Sequence, residues 1–433
     1  MKLKIKILSP VNIGSGETKT KIDYIIENGK VHFINEDLFN DLICQDKLDK
    51  QFINWIQNGG NDISQFLVKY PAVKEKIITN PLYSLPVKET PKNEVHLHIK
   101  DSKNNFYIPG SSIKGAIRTA LLYNALKNTK LDRNIFEGIL KVDLKKRGNQ
   151  VAMELEKLMF RAGVRKNDRV IYNDAKYDLL RFIHISDAFP ISAEYSILPI
   201  ITYSDDDKEI IRIYAEVIER GEFICDFNID VSTLLKLKNS NEENEWIGFK
   251  EKFKRVFGVD LSSISEKNYE ETKNLIIKNI LKKCETFSND VKDTQSKLKI
   301  SYNQIPISEG VINIGLGGGY RKKTVGTIIE SYTDIFKKLR LKFELGKLRY
   351  KVLCKKCNKK FGTFEGSKTK NFLKMPKFKI IKYEDCPKAE PDQKKHILIK
   401  KPIETISPFP KTTEIVVKDD NTTSHMGWVK LEK

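Results

Sequence analysis

The stretch Tyr107-Ile-Pro-Gly-Ser-Ser-Ile-Lys-Gly-Ala-Ile-Arg-Thr-Ala-Leu-Leu122 joins a tight turn to an amphipathic helix. Pro109 and Gly110 interrupt whatever precedes them, and Ser111 or Ser112 offers a hydroxyl to cap the free N–H groups of a first turn. Ile113, Ala116, Ile117, Ala120 and Leu121 recur at helical spacing and mark the buried face. Lys114 and Arg118, four residues apart, therefore share another face. Gly115 between them admits the close approach of a second backbone, and a helix N-terminus favours an anion. A capped start followed by two cations predicts a grip on phosphates, with a solvated amphipathic helix as the plainer alternative.

Outward from this element the chain alternates strand and helix signals. Lys2-Leu-Lys-Ile-Lys-Ile-Leu8 has the period of a half-buried strand with Leu3, Ile5 and Ile7 inward. Ser9 and Pro10 end it, and Gly14-Ser-Gly16 is a flexible turn. Ile22-Asp-Tyr-Ile-Ile26, Asn28-Gly29 and Val31-His-Phe-Ile34 spell a hairpin with a two-residue turn. Residues 36–57 return to helical spacing, and 63–78 add a helix broken at Pro71. The 131–175 region is mixed and charged, with a helix at Val151–Phe160. Strands follow at Leu179–Asp187, Glu194–Tyr203, Glu209–Ile218 and Glu222–Ile229, punctuated by Pro190 and Gly221. Val231 to Phe287 is mostly helical, striped by Leu275, Ile276, Ile280, Leu281 and Cys284. This order predicts an α+β layered fold.

Length and charge narrow the function. With 433 residues the chain is long enough for two or three cores. Its 77 Lys and Arg against 57 Asp and Glu leave a net charge of +20, which predicts an anionic partner. Between Arg321 and Lys401 stand 25 basic against 8 acidic residues, so most of the excess lies there. The alternative is a lysine-rich thermophile surface, although such surfaces mix both signs. No apolar run reaches the length of a membrane span, and no signal peptide is evident, so a cytoplasmic protein is expected. Six scattered cysteines agree with a reducing compartment.

Ile312-Asn-Ile-Gly-Leu-Gly-Gly-Gly-Tyr-Arg-Lys-Lys-Thr324 sets four glycines before three cations. Glycine backbone can turn its N–H groups into an anion-binding concavity that Arg321, Lys322 and Lys323 would deepen. A dinucleotide fingerprint fails because Tyr320 stands where its third glycine belongs, and a P-loop fails because Lys322 precedes Lys323 and Thr324. A tight connection between strands is the alternative. Among Phe106, Tyr107 and Tyr320, at most one is expected to stack on an exposed base.

Catalytic chemistry finds little footing. Metal-free RNA cleavage calls for a histidine acid or base, yet none of His32, His96, His98, His184, His396 and His425 stands beside the Ser-Lys motif in sequence. Alternation puts Asp23 in a strand, and Asp187 has the position of a turn-forming residue. Neither is assigned a catalytic role. Cys354-x-x-Cys357 offers two thiolates, with Cys386 and His396 as distant third and fourth ligands, but the second pair lacks a tight spacing. No metal and no cofactor is expected.

Five segments in order resemble the RAMP superfamily of CRISPR ribonucleoproteins. They are Ile7-Leu-Ser-Pro-Val-Asn-Ile-Gly-Ser-Gly16, the 108–122 segment, Ile185-Ser-Asp-Ala188, the Glu216, Gly221, Phe223 pattern, and Gly315-Leu-Gly-Gly-Gly319. Lys21-Ile-Asp-Tyr-Ile25 and Met426-Gly-Trp-Val-Lys-Leu-Glu432 look most like the Csm subunits of type III-A effectors, in particular the one capping the 3′-end side of the guide RNA. The resemblance covers the two ends and the 106–124 and 180–225 regions, and leaves 40–95, 130–175, 230–300 and 345–405 unsupported.

This resemblance implies a modified ferredoxin-like (RRM-like) core with inserted helical lobes and a basic C-terminal extension. The implied core is 1–35, 96–128 and 179–230, with a helical insertion at 36–95, a mixed one at 129–178 and a helical lobe at 231–300. A glycine-rich segment at 301–345, a basic Cys-containing insertion at 346–405 and a return to the core at 406–433 complete it. In RAMP proteins the matching glycine loop contacts guide RNA. The expected RNA-binding set is therefore Gly110, Ser111, Ser112, Lys114, Gly115 and Arg118, with Gly315, Gly317, Gly318, Gly319, Tyr320, Arg321, Lys322 and Lys323. The implied partners are crRNA, target RNA, other Csm subunits including the backbone RAMP subunit, and an accessory nuclease.

A non-catalytic subunit is the expectation, supporting crRNA maturation and complex assembly in antiviral defence. A guide-processing or target-cutting RAMP endoribonuclease is the alternative. RAMP endoribonucleases that process guide RNA use a histidine but lack the IPGSSIKGAIR element. The backbone subunit cuts target RNA with an Asp after its first strand, near the place of Asp23 here.

Overall fold

Alternation in the first strand is realised as β1 (Lys2–Ile7), which lies inside the large sheet of the computed structural model. Leu3, Ile5 and Ile7 are buried while Lys2 and Lys6 are exposed. The structure describes residues 1–129, 150–204, 208–239, 242–292, 305–368, 370–375, 378, 386–388, 396–406, 409, 412–417 and 423–433. It divides into two compact units. One comprises Met1–Asn128, Lys157–Thr324 and Thr412–Lys433, and the other Thr129–Glu156 and Val325–Lys411.

In the first unit β1 is followed by β2 (Gly14–Lys19), β3 (Tyr24–Glu27) and β4 (Lys30–Phe33). Helices α1 (Glu36–Gln45), α2 (Asp49–Gln57), α3 (Ile63–Leu67) and α4 (Pro71–Thr79) lead to β5 (Tyr83–Pro86) and β6 (Val95–His98). The predicted hairpin forms, with Asn28 and Gly29 both at positive φ, as a two-residue turn between twisted strands requires. It pairs with β5 in a separate three-stranded sheet, and Ile25 and Ile34 share one core with Leu42, Phe66 and Ile77 of the helices. Pro71 begins α4 instead of breaking a helix, because the first turn has no use for its missing N–H.

Helix α5 (Gly110–Lys127) follows, then α6 (Gln150–Phe160), β7 (Val164–Lys166), β8 (Arg169–Ile171) and β9 (Ile183–Ile185). The four strands expected between 179 and 229 are β9 and a single long ribbon, β10 (Phe189–Ser204) and β11 (Glu209–Ile229). Pro190 and Gly221 do not end strands there. Pro190 sits at a register shift and Gly221 between two of them, Gly221 at φ +139° with the Ser192 carbonyl 2.3 Å from where its Cβ would be. Helices α7 (Val231–Lys238), α8 (Phe249–Phe257) and α9 (Tyr269–Lys292) precede β12 (Val311–Asn313) and α10 (Gly319–Lys323). On α9 the buried stripe is Ile276, Ile277, Ile280, Leu281, Cys284 and Phe287, while Leu275 is exposed.

The second unit contains α11 (Gly326–Ser331), α12 (Thr333–Phe343), β13 (Leu348–Cys354), β14 (Lys360–Gly366) and β15 (Leu398–Thr405). Its three strands form their own antiparallel sheet, ordered β14–β13–β15. The chain then returns to the first unit as β16 (Thr412–Val417), β17 (Thr423–His425) and β18 (Trp428–Glu432).

The large sheet runs β12–β18–β1–β11–β10–β16–β17, with β6 joined to β11 in parallel and to β2. Helices α5 and α9 pack together beside β12, tied by Asn124, whose amide donates to the Lys283 carbonyl at 2.9 Å. The fold is α+β, as the element order predicts. Lys2, Lys4 and Lys430 pair with Asp226, Glu222 and Glu432, so these lysines do not stand alone as cations. Among the described residues no helix is long and apolar enough to cross a membrane.

Candidate nucleic-acid interface

The first turn of α5 is capped by a residue distant in sequence. Pro109 holds the N-cap position, and neither serine hydroxyl makes the cap. Asp187 Oδ1 accepts the Gly110 N–H at 2.8 Å, supplying the negative charge that a helix start favours. Gly110 is obligatory, since a Cβ there would stand 2.3 Å from the Ile185 carbonyl oxygen. The anion position at Gly110 is thus filled from within the chain. Ser111 is exposed and Ser112 half-buried.

The two predicted cations of α5 are committed to the fold. Lys114 Nζ donates to the Ile183 carbonyl at 2.7 Å, and burial lowers its pKa against the opposing pull of Asp178. Arg118 grips both oxygens of Asp178, at 3.2 and 2.8 Å, with its guanidinium over the Phe160 ring. Asp178 lies 60 residues away in sequence, which is why spacing alone could not foresee the pair. Gly115 is exposed with nothing within 4 Å of a Cβ there, so no second backbone among the described residues approaches it.

The glycine loop is seated on the 8–13 segment between β1 and β2. Leu316 N–H donates to the Asn12 carbonyl at 2.8 Å, and Asn12 Nδ2 reaches the Glu216 carbonyl at 2.7 Å. Gly315 (φ +66°) leaves 2.1 Å between a built Cβ and that same Asn12 oxygen, and Gly317 (φ +82°) packs on Met426. Gly317 and Gly318 are buried, whereas Gly319 is exposed with open space around it. Lys323 Nζ is turned inward onto the Asn313 carbonyl at 3.0 Å, and burial brings its pKa down to about 8. Tyr320 and Arg321 are half-exposed.

Lys322, expected as a phosphate-facing cation, is 2% exposed. Its ammonium lies 5.4 Å from the Trp428 ring centroid and has no hydrogen-bond partner among the described residues. Burial, aided by Lys323 and opposed by Glu414, brings its pKa down to about 7. The unfolded chain therefore holds a proton that the folded chain has released between about pH 7 and 10.5, so this lysine makes stability rise with pH across that window. Lys322→Met is expected to stabilise the protein by a few kcal/mol near neutrality and to make the rise shallower. Urea unfolding midpoints between about pH 6 and 9 check this.

His98 joins the two landmarks. Its Nδ1 accepts from Ile13 N–H at 3.0 Å and its Nε2 faces the Tyr107 carbonyl at 3.1 Å, which fixes the proton on Nε2. Burial lowers its pKa to about 4, so it stays neutral. Hydrogen bonds thus run from the glycine loop through Asn12, Ile13 and His98 to Tyr107 at the entrance of α5. Phe106 is buried between His98 and Tyr195, which removes it as a base platform. Tyr107 instead stacks at 6.0 Å on Phe189, a ring left 49% exposed. Phe189 carried no sequence signal, because its place beside Tyr107 depends on the Ile108–Ala188 bridge.

Beneath the site lies a closed charge network. Glu216, fully buried, accepts Lys100 Nζ at 2.6 Å, His98 N–H at 2.8 Å and Tyr83 O–H at 2.7 Å. Of the other candidate acids and bases, Asp23 and His32 are held by hydrogen bonds. Asp23 lies in a bend before β3, not within a strand, and its carboxylate accepts Thr20 N–H at 2.6 Å. His32 Nδ1 meets Ser84 Oγ at 2.9 Å, His425 is buried, and His184 is exposed on β9. Cys354, Cys357, Cys386 and His396, too loosely spaced to predict a metal, converge in the second unit.

A family model described as the RAMP superfamily matches residues 4–420. A Methanocaldococcus jannaschii protein named CRISPR system Cms protein Csm5 is 27% identical over 347 residues, 75% of this chain and 72% of that protein. A Streptococcus thermophilus protein of the same name is 33% identical over 134 residues, 28% of this chain and 37% of its own length. Among solved structures, a chain of a Csm-crRNA-target RNA ternary complex from a type III-A CRISPR-Cas system superposes with TM-score 0.59 at 19% identity, covering 100% of both chains. The crystal structure of T.onnurineus Csm5 superposes with TM-score 0.54 at 19% identity over 76% of this chain and 94% of that one.

Proposed function

This chain belongs to the RAMP superfamily, and from that premise we propose that it is a non-catalytic crRNA-binding subunit of a type III-A CRISPR ribonucleoprotein. It caps the 3′-end side of the guide RNA, supports maturation of that RNA and assembly of the complex, and meets the other Csm subunits and the target RNA. The observation that carries this reading is the hydrogen-bonded path from the glycine loop through Asn12, Ile13 and His98 to Tyr107 at the start of α5, with Ser111, Gly115 and Gly319 each exposed. Arg321 meets phosphate, and Phe189 with Tyr107 supports an unstacked base. Lys114, Arg118, Lys322 and Lys323 act by positioning this surface. Support for a non-catalytic role comes from His98, Asp23 and Asp187, each held by hydrogen bonds within the fold.

Ser111→Glu provides the test, because a carboxylate in a first helical turn favours folding yet repels phosphate. Purified Ser111→Glu and Arg321→Glu proteins are expected to bind labelled guide RNA more weakly, with a salt slope reduced by about one for Arg321→Glu. Phe189→Ala should weaken binding by about 1–3 kcal/mol with the slope unchanged. Wild-type affinity and slope in all three would reject the interface. Specific cleavage of the RNA by the wild-type protein would favour the endoribonuclease.

A further inference from the structure

We propose that Cys354, Cys357, Cys386 and His396 form a structural zinc site that closes the three-stranded sheet of the second unit. Their ligand atoms all lie within 4.8 Å of one another. Cys354 Sγ stands 3.7 Å from Cys386 Sγ, and Cys357 Sγ 3.3 Å from His396 Nδ1. A tetrahedral ion at about 2.3 Å from sulfur and about 2.0 Å from nitrogen sets its ligands about 3.8 Å apart for two sulfurs and about 3.5 Å for sulfur and nitrogen. The Cys354–Cys386 and Cys357–His396 pairs match that spacing, and every other separation stays within 4.8 Å. Disulfide chemistry does not account for them, since a bridge needs about 2.05 Å between sulfurs and three thiols cannot pair off.

The backbone holds the donors where an ion would need them. Cys354 ends β13, and Asn358 at φ +62° turns the chain back so that Cys354 N–H donates to the Lys359 carbonyl and Asn358 N–H to the Cys354 carbonyl, both at 3.0 Å. Lys355 N–H donates to the Ile397 carbonyl at 2.8 Å, which joins this knuckle to the residue after His396. Cys354, Cys386 and His396 are buried and Cys357 is half-buried, with the Phe361 ring edge-on to His396 at 5.0 Å. Four protein donors leave no open position, so the ion is structural. Three soft thiolates and an imidazole select zinc over harder cations.

Size and charge give the site a purpose. The sheet's core cluster holds Leu348, Tyr350, Val352, Phe364, Phe372 and Phe378, a small core of the kind that a structural metal commonly secures. Three thiolates around one divalent ion leave a single negative charge, which Lys355, Lys359 and Lys360, exposed around the knuckle, are placed to offset. The basic segment is thereby tied to a fixed point.

The full chain, purified without chelator, is expected to carry about one zinc per chain by mass spectrometry of the metal. Cobalt(II) exchange should give intense tetrahedral ligand-field bands with thiolate-to-metal charge transfer. Cys357→Ser combined with Cys386→Ser should lose both signals. His396→Cys, which restores four soft donors, should retain zinc and thereby separates loss of ligands from loss of folding. Fewer than about one zinc in ten chains, together with cobalt(II) that leaves the visible spectrum unchanged, would overturn the site. RNA affinity plays no part in these readouts, so the metal site stands or falls apart from the RNA-binding reading.

Discussion

Glu216→Ala is expected to lower stability by about 3–5 kcal/mol, the usual cost of removing one partner from a buried charge pair. The carboxylate is wholly buried and gathers the Lys100 ammonium, the His98 amide and the Tyr83 hydroxyl. Its removal strands a cation whose side chain is only 9% exposed, over the Tyr83 ring at 4.2 Å. Replacing both charges, as Glu216→Leu with Lys100→Met, should recover most of that loss, because two apolar groups need no partner. Urea denaturation of the single and paired variants measures the difference. A single variant within about 1 kcal/mol of wild type would mean that water reaches this network.

Gly315→Ala should damage the protein far more than Gly319→Ala, although both residues have positive φ. Each alanine costs about 1–2 kcal/mol for entering the left-handed region. Only at Gly315 does the new methyl meet backbone, 2.1 Å from the Asn12 oxygen that holds the glycine loop in place through Leu316. The loop must lift, and guide-RNA affinity is expected to fall about tenfold or more, since a small misplacement of a positioned group loses a kcal/mol or two. At Gly319 the methyl enters open space. Thermal melting and RNA titration of the two proteins check the contrast, which equal losses in both would contradict.

The fold was legible wherever a local period governs burial. Alternation foretold β1, Asn28-Gly29 foretold the β3–β4 hairpin, and Ile113, Ile117, Ala120 and Leu121 all lie on the buried face of α5. Ala116 is only half-buried, as it lies at the margin of that face. Pro190 and Gly221 misled because a strand pair tolerates them at or between bulges, and no short window distinguishes an irregular strand from its end. Leu275 and Ile277 exchange roles on α9 because both are apolar and only the neighbouring elements decide which one faces inward.

Site residues were harder to read because their partners come from far along the chain. A lysine in a run of cations looks solvated until Trp428 is known to cover it, as happens to Lys322. Arg118 looked available until Asp178 was placed beside it, and the serines of α5 looked like caps until Asp187 took that role. Cys354 and Cys357 announced themselves by spacing, whereas Cys386 and His396 needed the return of the chain towards β15.

The place of β18, hydrogen-bonded on one side to β1 and on the other to β12, has a consequence for synthesis on the ribosome. Residues 428–432 emerge after every other strand of that sheet, so the nascent polypeptide carries β1 and β12 with unpaired edges until translation has passed them. The lobe of α1–α4 with β3–β5 has its own core and can settle early, but the sheet cannot. During that interval the waiting edges are open to mispairing with other strands.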